Sequence, residues 1–222
     1  MEAIRNIISD KCETCGIRPK AVVDGKARKG CTRCMELYHR PMTMNKSSTA
    51  NTLIENLGFA YVDAEIDHID AKYKDAMLNA KSDIYLYGPV GVGKTYAMAA
   101  LFKHKVFSGN KCQRINFDEF CCRVRSTMNH NSKKTEYELV SELIGLDCLF
   151  IDDIGLRSKQ ETDFAYVTFY TILNKRQESS LPTYITTNKS IKQLASGFDS
   201  RIASRLNTAT IIEMNGQDRR IK

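Results

Sequence analysis

A glycine-rich segment and a pair of aspartates carry the most specific chemistry in this chain of 222 residues. The segment GPVGVGKT, residues 88–95, follows an apolar run and opens a helical pattern. Its glycines allow a tight loop whose backbone N–H groups face phosphates, and the helix start adds a favourable dipole. The spacing predicts a nucleotide phosphate-binding loop; the alternative, a fortuitous glycine-rich turn, is disfavoured by the flanking strand and helix.

Two residues of this loop have distinct expected tasks. Lys94 is expected to reach the terminal phosphates, and the Thr95 hydroxyl to bind Mg²⁺, as in other ATPases with this loop. The full set of expected ATP contacts along the segment is Gly88, Pro89, Val90, Gly91, Val92, Gly93, Lys94, Thr95 and Tyr96.

The segment LFIDDIG, residues 149–155, ends an apolar run with two aspartates. Asp152 is placed to complete the Mg²⁺ shell through water, and Asp153 to orient the attacking water. Many related motors carry a glutamate at the second position. Because aspartate is one methylene shorter, we expect slow hydrolysis suited to switching. The alternative is that the pair only polarises the end of a strand.

Four cysteines near the start of the chain form two CxxC pairs: Cys12, Cys15, Cys31 and Cys34. Two such pairs supply the tetrahedral thiolate cage that zinc prefers in structural sites. A segment this short buries too little apolar area to fold unaided, so metal would supply most of its folding energy. Ordinary reduced cysteines or a redox pair are the alternatives.

Composition and charge bound the class of protein. The start MEAIRNIISD lacks the apolar centre of a signal peptide, and no run is long enough for a membrane span, so we expect a cytoplasmic protein. Cys112, Cys121, Cys122 and Cys148 lie in apolar segments, as reduced core thiols do. Residues 1–50 hold ten Lys or Arg against five Asp or Glu, which favours phosphates or acidic protein surfaces as partners.

Short apolar runs alternate with segments of helical period, which predicts a parallel sheet wrapped by helices. Residues 40–52 are polar, without apolar period, and are interpreted as a linker. Asp118 is expected to cap the helix after the second strand. The predicted strands are 83–88, 112–117, 148–153, 182–187 and 210–215, and the other predicted helices are 95–107, 161–177, 190–198 and 200–206.

Four segments in this order, GPVGVGKT, LFIDDIG, ITTN (185–188) and SRIASRL (200–206), resemble the DnaC/DnaI-type replicative helicase loaders. These belong to a branch of AAA+ ATPases that includes the IstB-type transposition helpers. The resemblance implies a P-loop AAA+ α/β fold, a three-layer αβα parallel sheet without a C-terminal lid, preceded by a small four-cysteine zinc domain. The implied domains are a zinc-binding helicase-interaction domain (1–45), a linker (46–55) and an AAA+ ATPase domain (56–222).

The resemblance also implies roles for single residues. Asn188 would be the first sensor of the γ-phosphate or attacking water. Arg205 would be the arginine finger that reaches the nucleotide of an adjacent subunit, with Arg201 as the fallback. Arg220, in GQDRR (216–220), would be a second sensor that contacts ATP. The alternative for the two helical arginines is that they only decorate a surface.

In loaders of this branch, the sequence between the second strand and the aspartate strand forms helices that line a channel for single-stranded DNA. Arg123, Arg125, Lys133 and Lys134 would follow the DNA backbone there, and Phe120 would pack or stack. A solvated basic helix is the alternative.

The sequence therefore predicts an Mg²⁺-dependent ATPase, slow and stimulated by DNA or a partner, with ATP, Mg²⁺ and Zn²⁺ as cofactors. Its expected function is delivery of a DnaB-type ring helicase onto single-stranded DNA, with ATP as the assembly switch of a homo-oligomer, hexameric on helicase or DNA. Three alternatives remain: an IstB-like transposition helper, a small-molecule kinase, and a non-enzymatic zinc module that binds nucleic acid.

Overall fold

The computed structural model describes residues 22–23, 26–27, 46–129, 132–155, 163–197 and 200–219. The described residues fall into two compact units, one within residues 1–63 plus 107–109 and the other within 64–106 plus 110–222. No helix in these described ranges is long and apolar enough to cross a membrane.

The first unit contains a short hairpin and a helix. Strand β1 (Val22–Val23) pairs antiparallel with β2 (Lys26–Ala27). Helix α1 (Lys46–Tyr61) begins inside the polar segment that showed no apolar period. It buries Ala50, Leu53 and Leu57, which recur at helical spacing, and Gly58 interrupts it at φ 58°.

The second unit is built on a five-stranded parallel sheet in the order β4-β5-β6-β3-β7. Its interior strands are almost continuously buried, as parallel strands with helical crossovers require. This confirms the predicted α/β fold. The strands are β3 (Ile84–Tyr87), β4 (Cys112–Asn116), β5 (Cys148–Ile154), β6 (Thr183–Thr187) and β7 (Thr210–Glu213).

Seven α-helices and one 3₁₀ turn (Ile66–His68) accompany the sheet within the described part of this unit. Four helices match predicted segments: α3 (Lys94–Phe107), α6 (Asp163–Glu178), α7 (Ile191–Gly197) and α8 (Ser200–Leu206). The helix predicted to be capped by Asp118 is α4 (Phe117–Ser126). Helix α5 (Glu136–Ile144) lies between β4 and β5, where the resemblance implies helices, and α2 (Ala71–Asn79) had not been predicted.

The starts of α4 and α5 have side-chain caps that differ from, or add to, the one predicted. The cap of α4 is Asn116, whose side-chain oxygen accepts from Asp118 N at 2.9 Å, so the assignment of Asp118 as the cap was wrong. Asn116 ends β4 with extended backbone, which leaves its side chain free to reach back to the second helical N–H. Helix α5 starts with a capping box of Thr135 and Glu138.

The core packs α4 and α6 against the sheet through aromatic side chains. Phe117 lies 5.6 to 5.9 Å from the ring centroids of Phe120, Tyr166 and Phe169. Phe120 is fully buried, so it packs in the core and is not available to stack on a base. Aromatic pairs at these separations stabilise a core beyond their buried area.

The four cysteines outside the CxxC pairs are free thiols, and three of them are buried: Cys112, Cys121 and Cys148. Cys122 is exposed, so its assignment to the core was wrong; it lies on the outward face of α4, next to buried Cys121. Cys112 and Cys148 are direct neighbours on β4 and β5. A hydrogen bond from the Cys112 thiol lowers the pKa of Cys148.

A fully buried arginine on α6 ties the starts of two strands to the end of a helix. The Arg176 guanidinium donates to Leu143 O and Leu146 O at 2.8 Å and to Pro182 O at 2.7 Å. Its Nε donates to Thr183 Oγ1 at 3.1 Å. Burial lowers the pKa of Arg176, yet these acceptors compensate the desolvated charge. Arg176 therefore satisfies carbonyl oxygens that the end of α5 leaves without helical partners.

Replacement of this arginine should destabilise the fold strongly. We expect Arg176→Met to lower the free energy of unfolding by about 3 kcal/mol or more, because several buried carbonyl oxygens lose their donor together. Urea denaturation followed by circular dichroism measures the change. The control is Arg125→Met at an exposed arginine, expected within about 0.5 kcal/mol of wild type. Equal stability of the two variants would contradict this role for Arg176.

Candidate active site

The glycine-rich segment forms a tight loop between β3 and α3. Gly91 and Gly93 have φ angles of 81° and 100°, a backbone conformation that residues with a Cβ rarely adopt. Val92 between them is 2% exposed and anchors the loop in the core. The sequence thus folds here as predicted, into a turn that leads directly into the first turn of a helix.

Lys94 is the first residue of α3, directly after the loop. Its Nζ donates to Gly88 O at 2.8 Å and to Pro89 O at 2.7 Å, and the residue is 8% exposed. An ammonium group held on backbone carbonyls at the mouth of such a loop is in reach of an anion bound there. The position suits the predicted contact with terminal phosphates.

Asp152 is a buried carboxylate held by three groups from other elements. It forms an ion pair with Arg114 of β4 and accepts a hydrogen bond from the Thr186 hydroxyl of β6. The Thr95 hydroxyl, at the start of α3, donates to Asp152 Oδ1 at 3.4 Å. Asp152 is 2% exposed, and a carboxylate so buried requires compensation of this kind.

Thr95 and Asp152 fit the predicted Mg²⁺ site, because they bring a hydroxyl and a carboxylate oxygen together beside the loop. Across the ranges that the structure describes, no group of three or more His, Cys, Asp or Glu side chains could hold a metal. Mg²⁺ does not require one, since it keeps several waters and takes phosphate oxygens as ligands.

Asp153 differs sharply from its neighbour, because β5 is irregular at this point. The register between β5 and β6 shifts between Ile151 and Ile154, and Asp153 has a φ of 59°. Asp153 is exposed, while its backbone N donates to Thr186 Oγ1 at 2.8 Å. The irregularity thus buries one carboxylate beside Thr95 and leaves the next one open to water.

The predicted first sensor, Asn188, lies at the same edge of the sheet as the aspartates. Asn188 is exposed and follows β6, which pairs with both β3 and β5. Because the carboxyl ends of parallel strands meet at one edge, the loop, the aspartates and Asn188 are brought to a common edge.

The segment after β7 lies against the loop. Met214 N donates to Tyr87 O at 2.7 Å, and Arg219 N donates to Gly91 O at 3.1 Å. A Cβ added to Gly91 would lie 2.0 Å from the Asp218 carboxyl group, and one added to Gly93 would lie 3.7 Å from Arg219 Nη1. Sequence reasoning had not singled out Asp218 or Arg219. The predicted second sensor, Arg220, lies outside the described residues.

A second set of contacts joins Tyr96 to the segment before α2. Tyr96 Oη accepts from Glu65 N at 3.3 Å and pairs with His68 Nδ1 at 3.1 Å. Tyr73 Oη accepts from Asn215 N at 3.1 Å, and this hydrogen bond is the main cause that lowers the pKa of Tyr73. Glu65 and His68 therefore contact the first turn of α3, and Tyr73 contacts the segment after β7, although no motif of the sequence marks these three residues.

The two predicted finger residues lie on α8, around a cavity of about 590 Å³. Arg201 is exposed and Arg205 half-buried, and both guanidinium groups lie over the ring of Tyr170. No residue of the phosphate-binding loop is among those that line this cavity. The structure therefore places the two arginines together, at a cavity that the loop of the same chain does not line.

A family model described as the bacterial DnaA ATPase domain matches residues 63–213. The chain belongs to this ATPase-domain family. The match covers the five-stranded sheet, the phosphate-binding loop, the aspartate pair and both arginines, and it ends before the segment that lies against the loop.

Known relatives confirm the resemblance to DnaC/DnaI-type AAA+ proteins. The chain is 26% identical to the replicative helicase loader DnaC of Escherichia coli over 119 residues, which cover 54% of this chain and 47% of that protein. It spans about half or less of the length of the curated relatives that it matches.

Solved structures share the fold. The crystal structure of DnaI matches with a TM-score of 0.60 at 23% identity, covering 85% of this chain and all of that one (100%). A replication initiator DnaA bound to AMPPCP and single-stranded DNA matches with a TM-score of 0.61 at 17% identity, covering 69% of this chain and 50% of that one. At these identities the likeness shows the fold alone.

The basic residues predicted to contact DNA lie on or after α4. Arg123 pairs with Glu119 one helical turn away, and Lys134 pairs with Glu142 of α5. Arg125 and Lys133 are exposed. Contact with DNA by these four residues stays a prediction. The predicted zinc ligands, Cys12, Cys15, Cys31 and Cys34, lie outside the described residues, and the zinc site also stays a prediction.

The Thr186 hydroxyl joins the two aspartates, since it donates to Asp152 and accepts from Asp153 N. We expect Thr186→Val to lower the free energy of unfolding by about 1–3 kcal/mol, because the buried Asp152 carboxylate loses one of its donors and Asp153 N loses its acceptor while the side-chain shape is kept. Thr186→Ser retains the hydroxyl and should stay close to wild type. The measurement is urea denaturation, and a valine variant as stable as the serine variant would contradict this role.

Proposed function

We propose that this protein is an ATP-dependent loader that delivers a DnaB-type ring helicase onto single-stranded DNA. The observation that carries the proposal is the contact of Thr95 with buried Asp152 beside a phosphate-binding loop, in a chain of the DnaA ATPase-domain family. The similarity to DnaC, named a replicative helicase loader, supports helicase delivery as the task.

The proposed ATP site uses residues of the common sheet edge. The loop N–H groups and Lys94 would bind the phosphates, and Asp153 and Asn188 would orient a water molecule near the γ-phosphate. Thr95 and Asp152 would hold Mg²⁺, which neutralises charge on the phosphate oxygens. Exposed Asp153, next to a buried carboxylate, supports this division of tasks.

ATP would act as an assembly switch. Arg201 and Arg205 line a cavity that the loop of their own chain does not line, which supports a guanidinium that reaches the γ-phosphate on a second copy. Arg⁺ offsets phosphate charge only in the assembled state, so bound ATP would hold neighbouring copies together. We propose a homo-oligomer, hexameric on helicase or DNA, with slow hydrolysis stimulated by these partners.

The regions outside the sheet would supply the partner contacts. We propose a zinc-binding helicase-interaction domain over residues 1–45, held by Cys12, Cys15, Cys31 and Cys34, a linker over 46–55 and the ATPase domain over 56–222. Arg123, Arg125, Lys133 and Lys134 would contact the DNA backbone. The similar DnaA structure that holds single-stranded DNA and AMPPCP supports a DNA-bound, nucleotide-dependent state.

A helicase-loading assay tests this function. The purified chain, a DnaB-type helicase and ATP should produce unwinding of a forked DNA substrate that the helicase alone enters poorly. Lys94→Ala should lower unwinding at least about tenfold, because the loop loses its phosphate-binding cation. The control is Lys81→Ala, at an exposed lysine before β3.

Two outcomes would contradict the loader. Unwinding that does not depend on Lys94 would remove the link between ATP binding and loading. ATP binding without any capture of the helicase, together with ATP-dependent stimulation of a transposase, would instead favour the IstB-like transposition helper.

A further inference from the structure

The ring of Tyr170 on α6 lies beneath both arginines of α8. Its centroid is 5.0 Å from Arg201 Cζ and 6.0 Å from Arg205 Cζ. A guanidinium over an aromatic face at such distances is attracted by the ring quadrupole. Tyr170 itself is half-buried and packs against the main hydrophobic core, so the ring is a fixed platform for two flexible side chains.

The pocket around this platform is cationic. Among the residues that the structure describes, the pocket is lined by two arginines, three small hydroxyl side chains and no acidic side chain: Tyr170, Gln177, Ser200, Arg201, Ser204, Arg205 and Thr208. Like charges one helical turn apart repel each other. The shared ring therefore offsets part of the repulsion between the two guanidinium groups, because each of them lies over its face.

The same helix also fixes the backbone beneath the arginines. Gln177, two turns after Tyr170 on α6, donates from Nε2 to Arg205 O at 3.1 Å and to Asp83 Oδ2 at 2.7 Å. Asp83 is buried at the foot of β3 and accepts from Thr183 N at 2.7 Å. The end of α8 is thus tied to the sheet through Gln177, while the Arg205 side chain is held by Tyr170.

We propose that Tyr170 is a positioning residue, which holds the Arg205 guanidinium ready for the nucleotide of a second copy of the chain. The inference rests on the proposed trans role of Arg205. A side chain fixed before contact loses less conformational freedom when the copies meet, so the ring would favour the assembled active state without contacting ATP.

Variants of Tyr170 test this role through the hydrolysis rate of the assembled protein. Tyr170→Phe keeps the ring and should stay within about twofold of wild type, whereas Tyr170→Leu should lower kcat about tenfold or more. ATP affinity at a concentration where the protein is monomeric should not change in either variant, because the loop is untouched. Tyr137→Leu, at a tyrosine of α5 that is 81% exposed, is the matched control.

A double variant separates positioning through Arg205 from a general structural effect. If Tyr170 acts through Arg205, Tyr170→Leu should cause no further loss of kcat in an Arg205→Ala background. Additive losses, a loss of monomer ATP affinity in Tyr170→Leu, or equal losses in the Phe and Leu variants would overturn the inference. An unchanged kcat in Tyr170→Leu would overturn it as well.

Failure of the underlying function gives a different result. If Arg205→Ala alone hydrolyses ATP as fast as wild type in the assembled protein, the proposed trans role is wrong, and the role of Tyr170 falls with it. If Arg205→Ala is impaired and Tyr170→Leu is not, the trans role stands and only the positioning role is wrong.

Discussion

The buried carboxylate of Asp152 is the constraint on which the candidate site depends. A carboxylate that is 2% exposed must be compensated, and three side chains do so from three elements: Arg114 of β4, Thr186 of β6 and Thr95 at the start of α3. Each of these contacts also fixes the relative position of the element that supplies it. The Asp152 carboxylate therefore has two tasks: it holds the strand ends together, and it is proposed to help bind Mg²⁺.

The separation of tasks between the two aspartates follows from that constraint. Once Asp152 is turned inward, a regular strand would place the next residue on the opposite face, still within the sheet. The register shift after Ile151 and the positive φ of Asp153 instead release its side chain to solvent at the edge. The Thr186 hydroxyl stabilises this geometry from β6 by bonding to both residues. A local irregularity thus yields one inward and one outward carboxylate from adjacent positions.

Local patterns predicted the sheet and the loop, since short apolar runs and glycine spacing are properties of neighbouring residues. All five predicted strands occur, and the loop stands between β3 and α3. Contacts between distant residues were not predictable in the same way. Arg176 satisfies carbonyls some thirty residues earlier in the chain, and nothing in the NKRQE segment distinguishes it from a surface arginine. The contacts of Asp152 and the position of Asp218 next to Gly91 also join residues that are distant in the sequence.

In the proposed function, the loop and the finger arginine form a working ATP site only when two copies of the chain meet. Mixing two inactive variants tests it most directly: Lys94→Ala retains Arg205, and Arg205→Ala retains the loop and aspartates. If the site is shared, the mixture should hydrolyse ATP faster than the sum of the separate variants, because one copy supplies the loop and the other the guanidinium. A mixture no faster than that sum, with both variants able to assemble, would contradict it.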